Sequence, residues 1–281
     1  MGKPFAFRKL VTLKNTATLT LENKDSNDSS TQPAGSAHAM IFSAGLGTRF
    51  RPWTDTHPKA LAIVNGKTLL QRNIEYLAAN GYHDVIVNVH HFAGQIKNAV
   101  IENNGWGSNV IISDETNEVL ETGGGLLRAK PFFTPGESFI TCNVDVLTDM
   151  DIRKLISFHQ HEKALISFGV TNRKTSRYLL FDEYNRLWGW RNENTGEEKG
   201  PHLEWSEGKK AKLIPKAYSC VVVFDYSVFS LIKQQGKFSL MDVYLDLAKD
   251  HRIMGFDHRG DKWVDVGRPE SVAVAEEMFG D

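Results

Sequence analysis

Met40-Ile41-Phe42-Ser43-Ala44-Gly45-Leu46-Gly47-Thr48-Arg49-Phe50-Arg51-Pro52, followed by Pro58-Lys59-Ala60, is the stretch from which the rest of the chain can be read. An apolar run stops abruptly at small residues, two glycines, a threonine and two arginines, the pattern of a buried strand that feeds an anion-binding loop. Gly45 and Gly47 let backbone N–H groups approach a ligand with no Cβ in the way, and Arg49 and Lys59 add charge-assisted hydrogen bonds. A nucleoside triphosphate suits such a loop. Two familiar phosphate loops do not fit: the dinucleotide fingerprint needs a third glycine where Phe50 stands, and the Walker loop needs Gly-Lys-Ser/Thr.

Outward from this loop the chain alternates strand and helix. Strand-like runs at 39–43, 84–89, 109–113, 138–144 and 164–170 are separated by helical patterns, one of which puts Phe92, Ile96, Ala99 and Val100 on one face. This is the grammar of βαβ units and predicts an α/β, Rossmann-like three-layer sandwich with a mostly parallel mixed sheet, its ligand crevice at the carboxyl ends of the strands. The glycine loop and Asp145 both fall at such ends. After about residue 175 shorter strands follow at 178–181, 186–190 and 218–224, with a polar loop at 192–201 ringed by Trp188, Trp190 and Trp205, which read mainly as packing residues. Helical patterns return at 226–234 and 239–250, and a last strand at 262–266 runs into Gly267-Arg268-Pro269, with proline suited to the first turn of a closing helix.

Composition sets outer limits. The 281 residues are 41% hydrophobic, enough for one large core, and 33 basic residues against 34 acidic ones leave a net charge of −1. That balance supports no partnership with nucleic acid or an anionic membrane, and no apolar run reaches the ~18 residues that span a bilayer. Cys142 and Cys220 sit in apolar runs and read as buried free thiols of a cytoplasmic protein. Residues 1–38 stand apart: 24–33 are polar and expected to be disordered, and Gly35-Ser36-Ala37-His38 has the look of a cloning-derived segment. The expectation is a leader over 1–38, either targeting-like, translated or cloning-derived, and a single domain over 39–281.

Three further signals bear on chemistry. Phe139-Ile140-Thr141-Cys142-Asn143-Val144-Asp145 and Trp263-Val264-Asp265-Val266-Gly267 are apolar strands that each end in an aspartate. Alone, either aspartate could as readily close a turn or cap a helix. Glu121-Thr122-Gly123-Gly124-Gly125 opens a helix with three glycines, a start that a planar or anionic ligand could approach closely. His90-His91 follows a strand, but adjacent histidines point apart and read as rim or capping groups. His159 and His161, two apart on a helix, cannot share a face.

Taken together, G-x-G-T-R-x-x-P with Pro58-Lys59, the strand ending Asn143-Val144-Asp145, Glu121-Thr122-Gly123-Gly124-Gly125 and Trp263-Val264-Asp265-Val266-Gly267-Arg268-Pro269 resemble the signature motifs of sugar-1-phosphate nucleotidyltransferases. The resemblance covers nearly all of 39–281, and the E-T-G-G-G spelling is especially similar to N-acetylmuramate-1-phosphate uridylyltransferases and mannose-1-phosphate guanylyltransferase-like members. It implies transfer of a nucleotidyl group from an NTP, UTP or GTP, to a sugar 1-phosphate with release of pyrophosphate. With no left-handed β-helix after the last motif, it also implies the single-domain form, as a monomer or homodimer.

Carried over position by position, the resemblance implies that Ala44, Gly45, Leu46, Gly47 and Thr48 contact the triphosphate and that Arg49 and Lys59 neutralise its charge. Asp145 and Asp265 would hold Mg2+, a hard ion suited to carboxylate and phosphate oxygens. Glu115, Thr122, Gly123 and Gly124 would meet the base, with Ser113 and Asp114 near its edge, and Asn143, Arg191 and Ser219 would face the sugar phosphate. The chain departs from the pattern at Val144 and Cys220, where glycine is usual, at Arg268, where threonine is usual, and at Trp190-Arg191-Asn192, where larger relatives carry E-K-P. The expected function is uridylyl transfer to N-acetylmuramate 1-phosphate, with guanylyl transfer to mannose or heptose phosphate next. A catalytically inactive nucleotide-sugar sensor is the rival of a different class.

Overall fold

The computed structural model describes residues 37–203 and 213–280, so the expected leader up to residue 36 and Trp205 lie outside the described residues. In chain order the elements are β1 (Ala39–Phe42), β2 (Ile63–Val64), β3 (Lys67–Thr68), α1 (Leu69–Ala79), β4 (Asp84–Val89), α2 (Ala93–Glu102), β5 (Asn109–Asp114) and α3 (Glu121–Ala129). They continue with β6 (Phe139–Asn143), β7 (Val146–Thr148), α4 (Ile152–Glu162), β8 (Ile166–Thr171), β9 (Arg177–Phe181), β10 (Leu187–Asn192), β11 (Glu197–Lys199) and β12 (Ile214–Phe224). The last are α5 (Val228–Leu231), α6 (Leu240–Ala248), β13 (Ile253–Asp257), β14 (Trp263–Asp265) and α7 (Glu270–Met278).

Ten strands form one sheet. Its main path runs β11-β10-β9-β12-β6-β1-β4-β5, with β8 joined to β12 and β13 joined to β8. Pairing is parallel from β6 through β1 and β4 to β5, as the alternating strand and helix pattern requires. It turns antiparallel at β12, which pairs with β6, β8 and β9, and stays so through β10 and β11. The sheet is therefore mixed, parallel in the half that carries the glycine loop and antiparallel in the half of shorter strands. The run at 253–257, not singled out from the sequence, is a strand parallel to β8.

The period-two alternation of each strand feeds two cores. Ala39, Ile41, Val85, Val87 and Val89 face one core with α1, α2 and α4, while Met40 and Ile86 face the other with α3 and α6. This is the expected three-layer sandwich. Helix starts are fixed by side-chain caps: Thr68 accepts from Gln71 N at 3.0 Å, Asp151 from Arg153 N at 3.0 Å and Ser239 from Met241 N at 3.1 Å. Ala37 and His38, expected to be outside the fold, belong to it. Ala37 is fully buried and exchanges backbone bonds with the 132–134 turn, and His38 O accepts from Ile140 N at 2.8 Å.

One buried polar residue ties the first core to the crevice. Asn73 on α1 donates through Nδ2 to Leu69 O and to Val144 O, both at 2.9 Å, while its Oδ1 faces the Cys142 thiol. Val144 also donates its N–H to Phe42 O at 3.0 Å, so both backbone groups of the residue before Asp145 are held by protein. Replacing Asn73 by alanine leaves Val144 O without its donor, and urea unfolding of Asn73→Ala should show a loss of about 1–3 kcal/mol.

Candidate active site

The carboxyl ends of β1, β4 and β6 open into a cleft of about 230 Å³ lined by Ala44, Gly45, Lys59, Asn88, Thr122 and Asp145, among others. This is the crevice position that a parallel sheet leaves for ligands. Gly47 sits at φ 62°, in the left-handed region, and a Cβ there would meet Thr54 Cγ2 at 2.9 Å and Lys59 Cβ at 3.2 Å. Thr54 Oγ1 donates to Gly47 O at 2.9 Å and fixes the turn. The loop thus folds back against the segment that carries Lys59. Leu46, Thr48 and Arg49 are exposed beyond it.

Asp145 and Asp265 meet although 120 positions separate them in the chain. β7 pairs antiparallel with β14, setting Asp265 opposite Val146, and Val266 N donates to Asp145 O at 2.7 Å. The ammonium of Lys59 bonds to Asp145 Oδ2, and both side chains are largely buried. Asp265 Oδ1 is enclosed with no hydrogen-bond partner. Gly267 allows Arg49 to come alongside: a Cβ at 267 would lie 2.6 Å from Asp265 Oδ1 and 2.8 Å from Arg49 Nη2. Burial pushes the Asp265 carboxyl above the usual aspartate range, Asp145 adds to this, and Arg49, Lys59 and Arg173 pull the other way.

Not every sequence-predicted residue reaches the cleft. Glu115 is buried behind the wall, where Asn88 Nδ2 donates to its Oε1 at 2.8 Å while Asn88 Oδ1 accepts from Ser43 N at 2.7 Å. Burial raises the Glu115 carboxyl, and Asn88 is the residue that presents this pair to the cleft. Gly123 and Gly124 are also buried, and their missing Cβ atoms make room for protein: the Phe238 ring lies 2.2 Å from one ideal Cβ position and Gly236 O 2.2 Å from the other. Gly123 N is already bonded to Phe238 O at 2.9 Å. Thr122 does line the cleft, and its Oγ1 also accepts from Leu240 N at 3.0 Å. Asn143 lines the cleft, and Ser113 is buried in β5 with Asp114 paired to Lys97 at 2.6 Å.

On the sugar side the geometry corrects two expectations. Arg191 stands opposite Glu198 in the β10–β11 ladder, and its Nε donates to that carboxylate at 2.5 Å, so the charge is spent within the hairpin. Ser219 is fully buried, with Oγ bonded to His258 Nε2 at 2.7 Å and its carbonyl accepting from Trp263 Nε1 at 2.9 Å. Cys220, expected to be buried, is mostly so but keeps some exposure at φ 59° where β12 bulges, while Cys142 is fully buried. Arg268 points into water. His90 and His91 serve the rim: His90 Nδ1 meets Glu115 O at 2.7 Å and His91 Nε2 meets Thr54 O at 3.2 Å. His159 is buried against Ser167 Oγ at 2.9 Å, whereas His161 is exposed.

A sequence profile of the nucleotidyl transferase family matches residues 38–179. N-acetylmuramate alpha-1-phosphate uridylyltransferase of Neisseria meningitidis serogroup B is 40% identical over 249 residues, covering 86% of this chain and 98% of the relative. The chain belongs to the sugar-1-phosphate nucleotidyltransferase family. The enzyme of the same name from Caulobacter vibrioides is 30% identical over 244 residues, with 85% of this chain and 95% of the relative covered. Among solved structures, HddC from Yersinia pseudotuberculosis complexed with GMP-PN superposes with a TM-score of 0.68 at 22% identity, over 86% of this chain and 99% of that one, a likeness of fold. This nucleotidyltransferase therefore has a α/β fold shared with its family and transfers nucleotidyl groups to sugar 1-phosphates. No helix among the described residues is long and apolar enough to cross a membrane.

Two outcomes follow from the packing at Asp265. Gly267→Ala should displace both Arg49 and Asp265 and cut turnover by ~10–100-fold with little change in melting temperature, as expected for a small misplacement of reacting groups. In a ¹³C-detected titration, the Asp265 carboxyl should lose its proton at a pH above that of an ordinary aspartate. Its raised value means the folded protein holds the proton as pH climbs through the usual range, and Asp145→Asn, by removing a like charge, should lower the midpoint.

Proposed function

We propose that this nucleotidyltransferase joins UTP to N-acetylmuramate 1-phosphate, releasing pyrophosphate, with Mg2+ held between Asp145 and Asp265. The reading rests on one observation above others: two carboxylates from distant segments meet beside a glycine loop bearing Arg49 and Lys59. The 40% identity to a uridylyltransferase over nearly that protein's whole length supports the choice of base and sugar.

The residues suit a divalent cation. Among the described residues, Asp265 Oδ1 is an enclosed acceptor with no donor, and the Lys59 ammonium is the one cation paired with Asp145. Two carboxylates leave the remaining coordination positions to water and phosphate oxygens, the habit of Mg2+ at nucleotide sites. When bound, the cation would supply charge neutralisation along the triphosphate.

The protein's own part is positioning. The phosphate oxygen of the sugar 1-phosphate attacks the α-phosphorus, the bond to the bridging oxygen breaks, and pyrophosphate carries away that oxygen and the electron pair. A phosphate monoester is already anionic at neutral pH, so no general base is required. The glycine loop offers backbone N–H groups to the β- and γ-phosphates, and Arg49, exposed beside Gly267, meets the charge that builds on the leaving group. Lys59, anchored on Asp145, lines the cleft and would donate to an α-phosphate oxygen. Asn88, locked by Ser43 and Glu115, gives the base a fixed amide edge.

Pyrophosphate release should be measured with each of four NTPs against a panel of sugar 1-phosphates. UTP with N-acetylmuramate 1-phosphate is expected to be fastest; GTP with mannose 1-phosphate as the best pair would overturn the assignment of base and sugar. Asp145→Asn and Asp265→Asn should each lower turnover on the order of 100-fold or more with the fold retained, since each removes a cation ligand from the reacting centre.

A further inference from the structure

Arg173 is a charged group that the sequence reading passed over and that the roles assigned so far leave unused. It lies two residues beyond β8, on a loop at the carboxyl end of that strand, the same side of the sheet as the cleft. Its guanidinium rests on the Trp263 indole, 3.7 Å from the ring centroid, and Nη2 donates to Tyr218 O at 2.5 Å. Trp263 is itself fixed by the bond from Nε1 to Ser219 O, and Ser219 by His258. The head group is thus locked in orientation by two anchored neighbours.

No carboxylate pairs with Arg173 among the described residues, and its Nε is enclosed without a partner. A half-buried guanidinium with no counter-ion is costly unless an anion arrives to meet it. Its charge also reaches Asp265 and Cys220, which places it at the edge of the carboxylate pair. In the sheet order, β1 and β8 lie on opposite sides of the β6–β12 pair, so the loop bearing Arg49 and the loop bearing Arg173 lie on either side of the β6 end that leads to Asp145. In-line transfer at phosphorus needs that arrangement: one cation for the leaving pyrophosphate and another, across the centre, for the attacking phosphate.

We propose that Arg173, held flat by Trp263 and Tyr218, binds the phosphate of the incoming sugar 1-phosphate and is the catalytic-centre cation on the acceptor side. It takes the place that Arg191, committed to Glu198, does not fill. This inference rests on the transferase reading above. Arginine is the side chain suited to the task, because its planar fork can stack on an aromatic ring while its edge meets phosphate oxygens.

Steady-state kinetics in the full-length protein separate the possibilities. Arg173→Gln should raise KM for the sugar 1-phosphate ~10–100-fold, the loss expected for one charge-assisted hydrogen bond to phosphate, while KM for UTP stays within about twofold. Arg173→Lys should recover part of that loss, and Trp263→Phe, which keeps an aromatic platform, should raise the same constant by only a few-fold. Calorimetry without turnover should show UTP binding to Arg173→Gln as to the wild type, and the nucleotide sugar binding more weakly. Equal rises in both KM values, or no rescue by lysine, would assign Arg173 a purely structural role at the β12 bulge. If Arg173→Gln does not fold, the lysine and phenylalanine variants decide alone. A wild type that releases no pyrophosphate with any substrate pair overturns the transferase reading and this one together; turnover by the wild type with an unmoved sugar-phosphate KM overturns this one only.

Discussion

Two carboxylates forced into proximity in a half-buried setting are the constraint around which the site is built. Asp145 and Asp265 repel each other, and burial removes the water that would otherwise screen them. The short β7–β14 ladder and the Val266 to Asp145 backbone bond hold them there regardless. The cations nearby, Lys59 on Asp145, Arg49 beside Gly267 and Arg173 on Trp263, follow from that repulsion. Each offsets part of a negative field that the backbone imposes.

Much of this was legible in the sequence, for physical reasons that can be named. β1 and β4 are buried on both faces, so their apolar runs could not be mistaken, and a loop at the end of such a strand in a parallel sheet has one place to go. The aspartates were visible because each ends an apolar run. What could not be read was which polar groups the fold itself would consume. Arg191 looks like a cation near a sugar pocket until the register of β10 and β11 places Glu198 opposite it. Ser219 looks like a pocket hydroxyl until His258, 39 positions away, is found bonded to it. Arg173 was overlooked because no local pattern marks an arginine whose role depends on a tryptophan far along the chain.

The glycines of 123–125 teach a related lesson. Their clustering at a helix start suggests a surface made bare for a ligand, yet Gly123 and Gly124 make room for Phe238 and Gly236 O, and Gly125 for the Glu115–Asn88 pair. They let α3 sit close against its neighbours. The helix thereby packs directly against Glu115 and Asn88, the amide that lines the cleft.

β12 runs for 11 residues and is bordered by β6 on one side of its length and by β8 and β9 on the other. It is a girder common to the parallel half, which carries the glycine loop, and the antiparallel half of shorter strands. Hairpins hung from its far end can lengthen, shorten or change character with no effect on the turn at 45–49. A lineage built on this plan can remodel the antiparallel wing while the strands that carry the glycine loop and Asp145 are inherited unchanged.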